Sequence, residues 1–380
     1  MPRRVSQVAG RLILEGGVVA GRAQVVDGLI GAVELDEREA AGPYISPGFA
    51  DIHVHGWGGH DAMRGRDALD GMARSLLRHG VTTFLPTAVT APMEGLEAFA
   101  QEVRDWTPRA PEDGAAPVGY NLEGPFISEA RKGAQNAAFI QAPARVNRDR
   151  WSGLFDGLRL TTVAPELDGA LELIEWLVAR GVVVSLGHSN ASASEGSLGY
   201  AAGARSTTHL FNAMSGIDHH SPGLAVAALG DDAVSVELIA DGFHVSPSVY
   251  PIVFRTKPPD RVVLVSDAID VAGTGDGRTT LGGLAVEVRD GQCRLVSNGA
   301  LAGSVLALDM AVRNLVGSGI PLARSVASAS IWPLTLLGIT DRGRIAPGQR
   351  ADLVELDDML HVRRVMREGR WFEGAAGAGA

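Results

Sequence analysis

The chain has 380 residues, 46% of them hydrophobic, a composition that suits a globular protein with a large core and excludes a disordered one. No apolar run reaches the roughly 18–20 residues of a membrane span, and Met1–Gly10 holds arginines without the apolar stretch of a secretion signal. The net charge of −10 argues against a nucleic-acid partner, though not against an anionic substrate, and Cys293, the single cysteine, fits a reducing cytoplasm without disulfides.

In chain order, Val5–Leu14, Ala23–Val26 and Leu29–Val33 read as short strands, with Asp27-Gly28 as a hairpin turn. Residues 47–56 form an apolar strand that ends in two histidines, His53 and His55. Residues i and i+2 of a strand share a face, so these imidazoles project together as a metal clamp. From 47 to about 344, apolar strands alternate with helical stretches. The helix Asp70–His79 stops at Gly80 before the strand Val81–Leu85, and the helix Gly95–Trp106 precedes the strands Val118–Leu122 and Leu160–Val163. The helix Leu167–Arg180 leads through Gly181 into the strand Val182–Leu186, and Ser206–Thr208, Val234–Ile239 and Arg261–Val265 are further strands.

Roughly eight such units predict an α/β fold with a parallel (β/α)8 barrel, an open doubly wound sheet being the competing arrangement. Residues 281–298 interrupt the series with a hairpin around Asp290-Gly291. After a helix over Ala323–Leu336, the turn Arg344–Gln349 and the strands Ala351–Leu356 and Val362–Glu368 return the chain to β. The expected domains are a barrel over 47–344 and one small β module from 1–46 and 345–373, since barrel termini lie near each other. The Gly/Ala tail 374–380 is expected to be disordered.

The chemistry gathers at strand ends. His53 and His55, Glu123, His188, His209, His244 and Asp267 each close or follow an apolar strand. In a barrel these positions share the face where catalytic groups sit. A lone strand-end histidine or aspartate is more often a structural residue or a cap; a whole series at strand ends points to a metal site. His79 and His361 lack this placement and read as structural or solvated. Imidazole and carboxylate without thiolate suit zinc, with iron(II), manganese or cobalt as alternatives. A divalent metal lowers a water's pKa from about 15.7 toward 7, and Asp267 could carry the proton to a leaving group, which is hydrolysis. No GxGxxG or Walker loop opens a helix, and Cys293 lies in the hairpin rather than at a barrel strand end.

The segments Leu122-Glu123-Gly124-Pro125-Phe126, Ser185-Leu186-Gly187-His188-Ser189, Thr208-His209-Leu210-Phe211-Asn212-Ala213-Met214, Asp241-Gly242-Phe243-His244 and Val265-Ser266-Asp267-Ala268 resemble, in order, the N-acetylglucosamine-6-phosphate deacetylases of the amidohydrolase superfamily. The resemblance extends to Gly343-Arg344-Ile345-Ala346-Pro347-Gly348. It implies a TIM-like barrel with a flanking β-sandwich, usually homodimeric, that hydrolyses the acetamide of a phosphorylated N-acetyl amino sugar. It implies metal ligands at Glu123, His188 and His209, a second metal where His53 and His55 are kept, and Asp267 as general base and then acid. Ala134, Gln135, Asn212, Ala213, His220 and His244 would hold the substrate, and Leu301, Ala302 and Gly303 would belong to the loop that closes over the sugar. Three positions depart from the pattern. Gln135 and Asn121 stand where histidines are usual, and His220 stands where an arginine usually pairs with the phosphate. These changes keep open a different N-acetyl sugar, unphosphorylated or of galactosamine type, or another N-acyl amide. A non-catalytic barrel is the remaining alternative.

Overall fold

The computed structural model describes residues 5–375. Eight strands form one parallel series: Phe49–Val54, Val81–Ala88, Tyr120–Glu123, Leu158–Val163, Val183–Leu186, Ser206–Thr207, Ser235–Leu238 and Val262–Leu264. The first two are buried along their whole length, as expected of parallel strands covered on both faces. The ring closes beyond the last strand, where Asp267 N donates to His53 O at 2.9 Å and His55 N donates to Ala268 O at 2.8 Å. The result is a TIM-like barrel, not an open sheet. Helices coat it through apolar stripes: Arg66–Arg78 buries Leu69, Met72, Ala73, Leu76 and Leu77, a helical repeat facing inward.

The two ends of the chain share one seven-stranded sheet. Its order is Arg370–Glu373, Val362–Arg367, Leu353–Leu356, Tyr44–Pro47, Val5–Leu14, Gly17–Val26, Leu29–Leu35. Val8, Leu12, Val25, Ile45, Leu353 and Met366 build a core there that is separate from that of the barrel. This is the expected small β-sandwich unit. Of the tail 374–380, Gly374 still donates to Arg363 O; residues 376–380 lie outside the described residues.

Several elements differ from the sequence reading in their bounds, among them the strand Gly17–Val26, expected only over Ala23–Val26. The helix expected over Ala323–Leu336 is two helices, Leu322–Ala329 and Ile331–Leu336, which meet at Ser330. Pro333 explains the break: it has no N–H, and its ring would clash with the carbonyl four residues back. The inserted hairpin is a three-stranded sheet, because Gly277–Leu281 joins Leu284–Arg289 and Gln292–Leu295. The added turn is Gly282-Gly283, both at positive φ, a two-residue hairpin loop. The strand expected at Val118–Leu122 runs over Tyr120–Glu123. The inserted sheet packs Val286, Val288, Cys293 and Leu295 against Val89, Ile269 and Ala302.

Candidate active site

The strand-end residues converge. Glu123 ends its strand and sits at the centre. Its Oε1 lies 2.9 Å from His188 Nε2, 2.8 Å from His209 Nε2 and 3.4 Å from His53 Nε2. Its Oε2 lies 3.2 Å from His55 Nε2. Asp267 Oδ1 is 3.2 Å from His55 Nε2 and 3.6 Å from His53 Nε2. All six side chains are buried.

The far nitrogens explain why three of the four Nε2 atoms face one point. His53 Nδ1 pairs with Glu237 Oε2 at 3.0 Å, His55 Nδ1 with Thr87 O at 3.1 Å, and His188 Nδ1 with Arg131 O at 3.0 Å. A hydrogen on each Nδ1 leaves the Nε2 lone pair directed inward. Glu237 was not among the expected site residues. It is a buried carboxylate within the strand Ser235–Leu238, and a charge inside an otherwise apolar run was the signal that could have found it.

The backbone is bent to make this site. His188, His209, Phe211, Ala213 and Asp267 all have positive φ, a conformation costly for residues with a β-carbon and concentrated at functional sites. Gly56, directly after His55, admits the close approach of the Asp270 backbone; a β-carbon there would lie 2.7 Å from Asp270 N.

On His53, His55, Glu123 and Asp267 burial opposes charge, and their neighbours override it. On His53 the carboxylates of Glu123 and Glu237 outweigh burial and hold the imidazole well above its usual pKa. On His55, burial is outweighed by hydrogen bonds to Asp267 and Glu123, which raise it to about 9. Burial would raise Glu123, but His53 and His188 hold it well below the carboxylate range. Asp267 is likewise lowered, against burial, by His55 and His53. The site therefore keeps two ionised carboxylates and favours positive charge between them.

Those donors fit a divalent cation. Glu123, His188 and His209 form one group of donor atoms within 4.8 Å, and His53, His55, Glu123 and Asp267 form another. His53 Nε2 and His209 Nδ1 are buried without a hydrogen-bond partner. His188 Nε2 and His209 Nε2 stand 3.1 Å apart, a spacing that a shared cation accounts for.

A cavity of about 230 Å³ opens over the group. His55, Glu123, Ala134, Gln135, His188, His209, Asn212, Ala213, His244, Asp267, Leu301 and Gly303 are among the residues that line it. His53 is fully buried behind His55, and Ala302 turns into the core of the inserted sheet. His220 is exposed, its ring tilted against that of His219 with centroids 4.0 Å apart, and does not line the cavity. Gln135 accepts from Thr90 N at 2.7 Å and donates to Glu123 Oε2. His244 Nδ1 pairs with Asp241 Oδ2 at 2.6 Å; burial opposes its charge, but Asp241 raises its pKa. Asn121 donates to Ile52 O beneath the site and does not line it. His79 meets Asp309, and His361 meets Asp357, each outside the cavity.

A parallel barrel whose strand ends present this donor set is the architecture of metal-dependent hydrolases. The amidohydrolase family pattern matches residues 44–372, and the chain belongs to that family. Among its relatives is the N-acetylgalactosamine-6-phosphate deacetylase of Escherichia coli O157:H7, 37% identical over 372 residues that cover 95% of this chain and 97% of the relative. The crystal structure of N-acetylglucosamine-6-phosphate deacetylase from Thermotoga maritima superposes with a TM-score of 0.91 at 35% identity, covering 97% of this chain and 100% of that one. An Asp→Ala variant of the Mycobacterium smegmatis N-acetyl-D-glucosamine-6-phosphate deacetylase, solved with N-acetyl-D-glucosamine-6-phosphate, matches at 34% identity and TM-score 0.87, covering 97% and 99%.

Proposed function

We propose that the protein hydrolyses the acetamide of N-acetyl-D-glucosamine 6-phosphate to D-glucosamine 6-phosphate and acetate. The observation that carries this is the convergence of Glu123, His188 and His209 with Asp267 in one cavity. Glu123, His188 and His209 would hold a divalent metal, zinc by donor chemistry, and His53, His55 and Asp267 are placed for a second ion. Such an ion would polarise the amide carbonyl and acidify the attacking water.

The chain's own groups do the rest. Asp267, kept ionised by His55 and His53, accepts the proton of the attacking water and delivers it to the leaving nitrogen. Gln135, anchored by Thr90 N, presents its amide N–H to the oxyanion that develops on the carbonyl. Asn212, the Ala213 backbone and His244, which Asp241 orients, line the cavity where the sugar would lie. A homodimer in the cytoplasm completes this reading; the lone cysteine, Cys293, fits a reducing compartment.

The test is acetate release from N-acetylglucosamine 6-phosphate, with and without chelator. Metal-dependent release is expected; metal-replete protein that frees no acetate from any N-acetylhexosamine sinks the proposal. The relative named for galactosamine favours a second reading, N-acetylgalactosamine 6-phosphate. The two sugars assayed side by side separate them.

A further inference from the structure

If the substrate is a sugar phosphate, its dianion needs a cation, and among the described residues no lysine or arginine lines the cavity itself. The sequence position expected to supply one is His220, which faces solvent elsewhere. We infer that Arg294, on the inserted sheet, is the residue that recognises the phosphate. This rests on the function proposed above and adds a specificity-determining residue to it.

The strand Gln292–Leu295 sends Cys293 and Leu295 into the core beneath the sheet, so Arg294 between them faces the other way. Arg294 stands opposite Leu301 in an antiparallel bridge, and opposed residues project from the same side of a sheet. Leu301 lines the cavity with its neighbours Ala300 and Gly303. The turn of the same hairpin rests on the far wall: a β-carbon on Gly291 would lie 3.7 Å from Phe243 Cε2. Phe243 precedes His244, which lines the cavity but belongs to neither donor group. The charge of Arg294 is felt at His244. Arg294 is exposed and thus stands at the rim of the cavity, on the sheet face that carries Leu301 and on the side of His244.

The guanidinium is held and still has capacity. Nε and Nη2 donate to Gln292 Oε1 at 3.2 and 2.8 Å, and Nη1 donates to Gly299 O at 2.7 Å. Three of its five N–H groups are used there, which leaves two for phosphate oxygens. Lys132 is the competing cation, but its ammonium points to Gln135 O, on the reacting side.

The experiment compares Arg294→Ala and Arg294→Lys with Arg289→Ala, an exposed control on the same hairpin. Acetate release is measured from N-acetylglucosamine with and without its 6-phosphate, and glucosamine 6-phosphate and glucosamine are titrated by calorimetry. Arg294→Ala is expected to lower the kcat/KM ratio of phosphorylated to unphosphorylated sugar by about tenfold or more, through KM, with Arg294→Lys intermediate. Arg289→Ala should leave the ratio in place. An unchanged ratio in Arg294→Ala, or equal binding of the two amines by the unaltered protein, overturns the inference. Absence of acetate release from either sugar overturns the proposed function instead, and calorimetry then still decides whether Arg294 selects phosphate.

Discussion

His53 is buried completely, yet a carboxylate faces each of its ring nitrogens, Glu237 on one side and Glu123 on the other. Glu237 fixes which nitrogen points inward, so its neutral isostere should leave the fold and loosen the ligand. Glu237→Gln is expected to weaken metal affinity about 10- to 100-fold, read by competition with a chelating dye; unaltered affinity would show that His53 is not oriented by Glu237 for binding. Asp267→Asn should lower kcat by about 10²- to 10⁴-fold with metal retained at Glu123, His188 and His209. Cys293 is a different case: burial, then the carboxylates of Asp267, Asp241 and Asp270, push its thiol up to about 12. It should resist alkylation at pH 8 until the protein unfolds, as mass spectrometry would show. The strand-end donors were legible because an apolar run marks where each strand stops. Glu237 stood out only as a charge inside an apolar run, and nothing in a single strand says which face of it looks into the barrel.

The structural elements were legible where length and punctuation agreed. Val5–Leu14 and the start of Val81–Ala88 fall where the apolar pattern puts them. The helices Ala193–Ala201, Leu224–Gly230 and Tyr250–Thr256 were not singled out, for they span only 9, 7 and 7 residues. Helices that short owe their stability to packing against the barrel rather than to propensity or periodicity. Helix Leu308–Gly317 is held in place by Asp309, which pairs with His79 Nδ1 at 3.3 Å and Arg313 at 2.7 Å. Burial raises the Asp309 pKa, but His79 and Arg313 outweigh it and the net shift is downward. A depressed carboxylate pKa stabilises above its unfolded value and loses that contribution as pH falls through the folded one. Asp309→Asn should therefore cost about 1–3 kcal/mol at pH 7, with the difference from the unaltered chain shrinking below about pH 4. Urea titrations at both pH values check this; a difference that grows in acid contradicts the pairing.

At the scale of the whole molecule, the first barrel strand is tied to the last part of the chain. Tyr44–Pro47 pairs along Leu353–Leu356, and Gly48 N donates to Asp352 O at 2.8 Å, directly before the strand that carries His53. Arg367 reaches back to the carbonyls of Pro111 and Gly114. The terminal sheet thus sets the position of the histidine strand from below. Truncation after residue 350 is expected to abolish cooperative thermal unfolding, followed by circular dichroism; a sharp transition in the truncated chain would show that the barrel stands alone.

In the proposed reaction, metal-binding donors and Asp267 act together on an N-acetyl group within one cavity. The most direct test is acetate release from N-acetylglucosamine 6-phosphate by one preparation as purified, after exhaustive chelation, and after zinc is restored, with metal content measured at each stage. The prediction is loss and recovery of activity in step with bound metal, and no recovery in Asp267→Asn at equal metal content. Undiminished release from metal-free protein, or full activity without the carboxylate of Asp267, would contradict it.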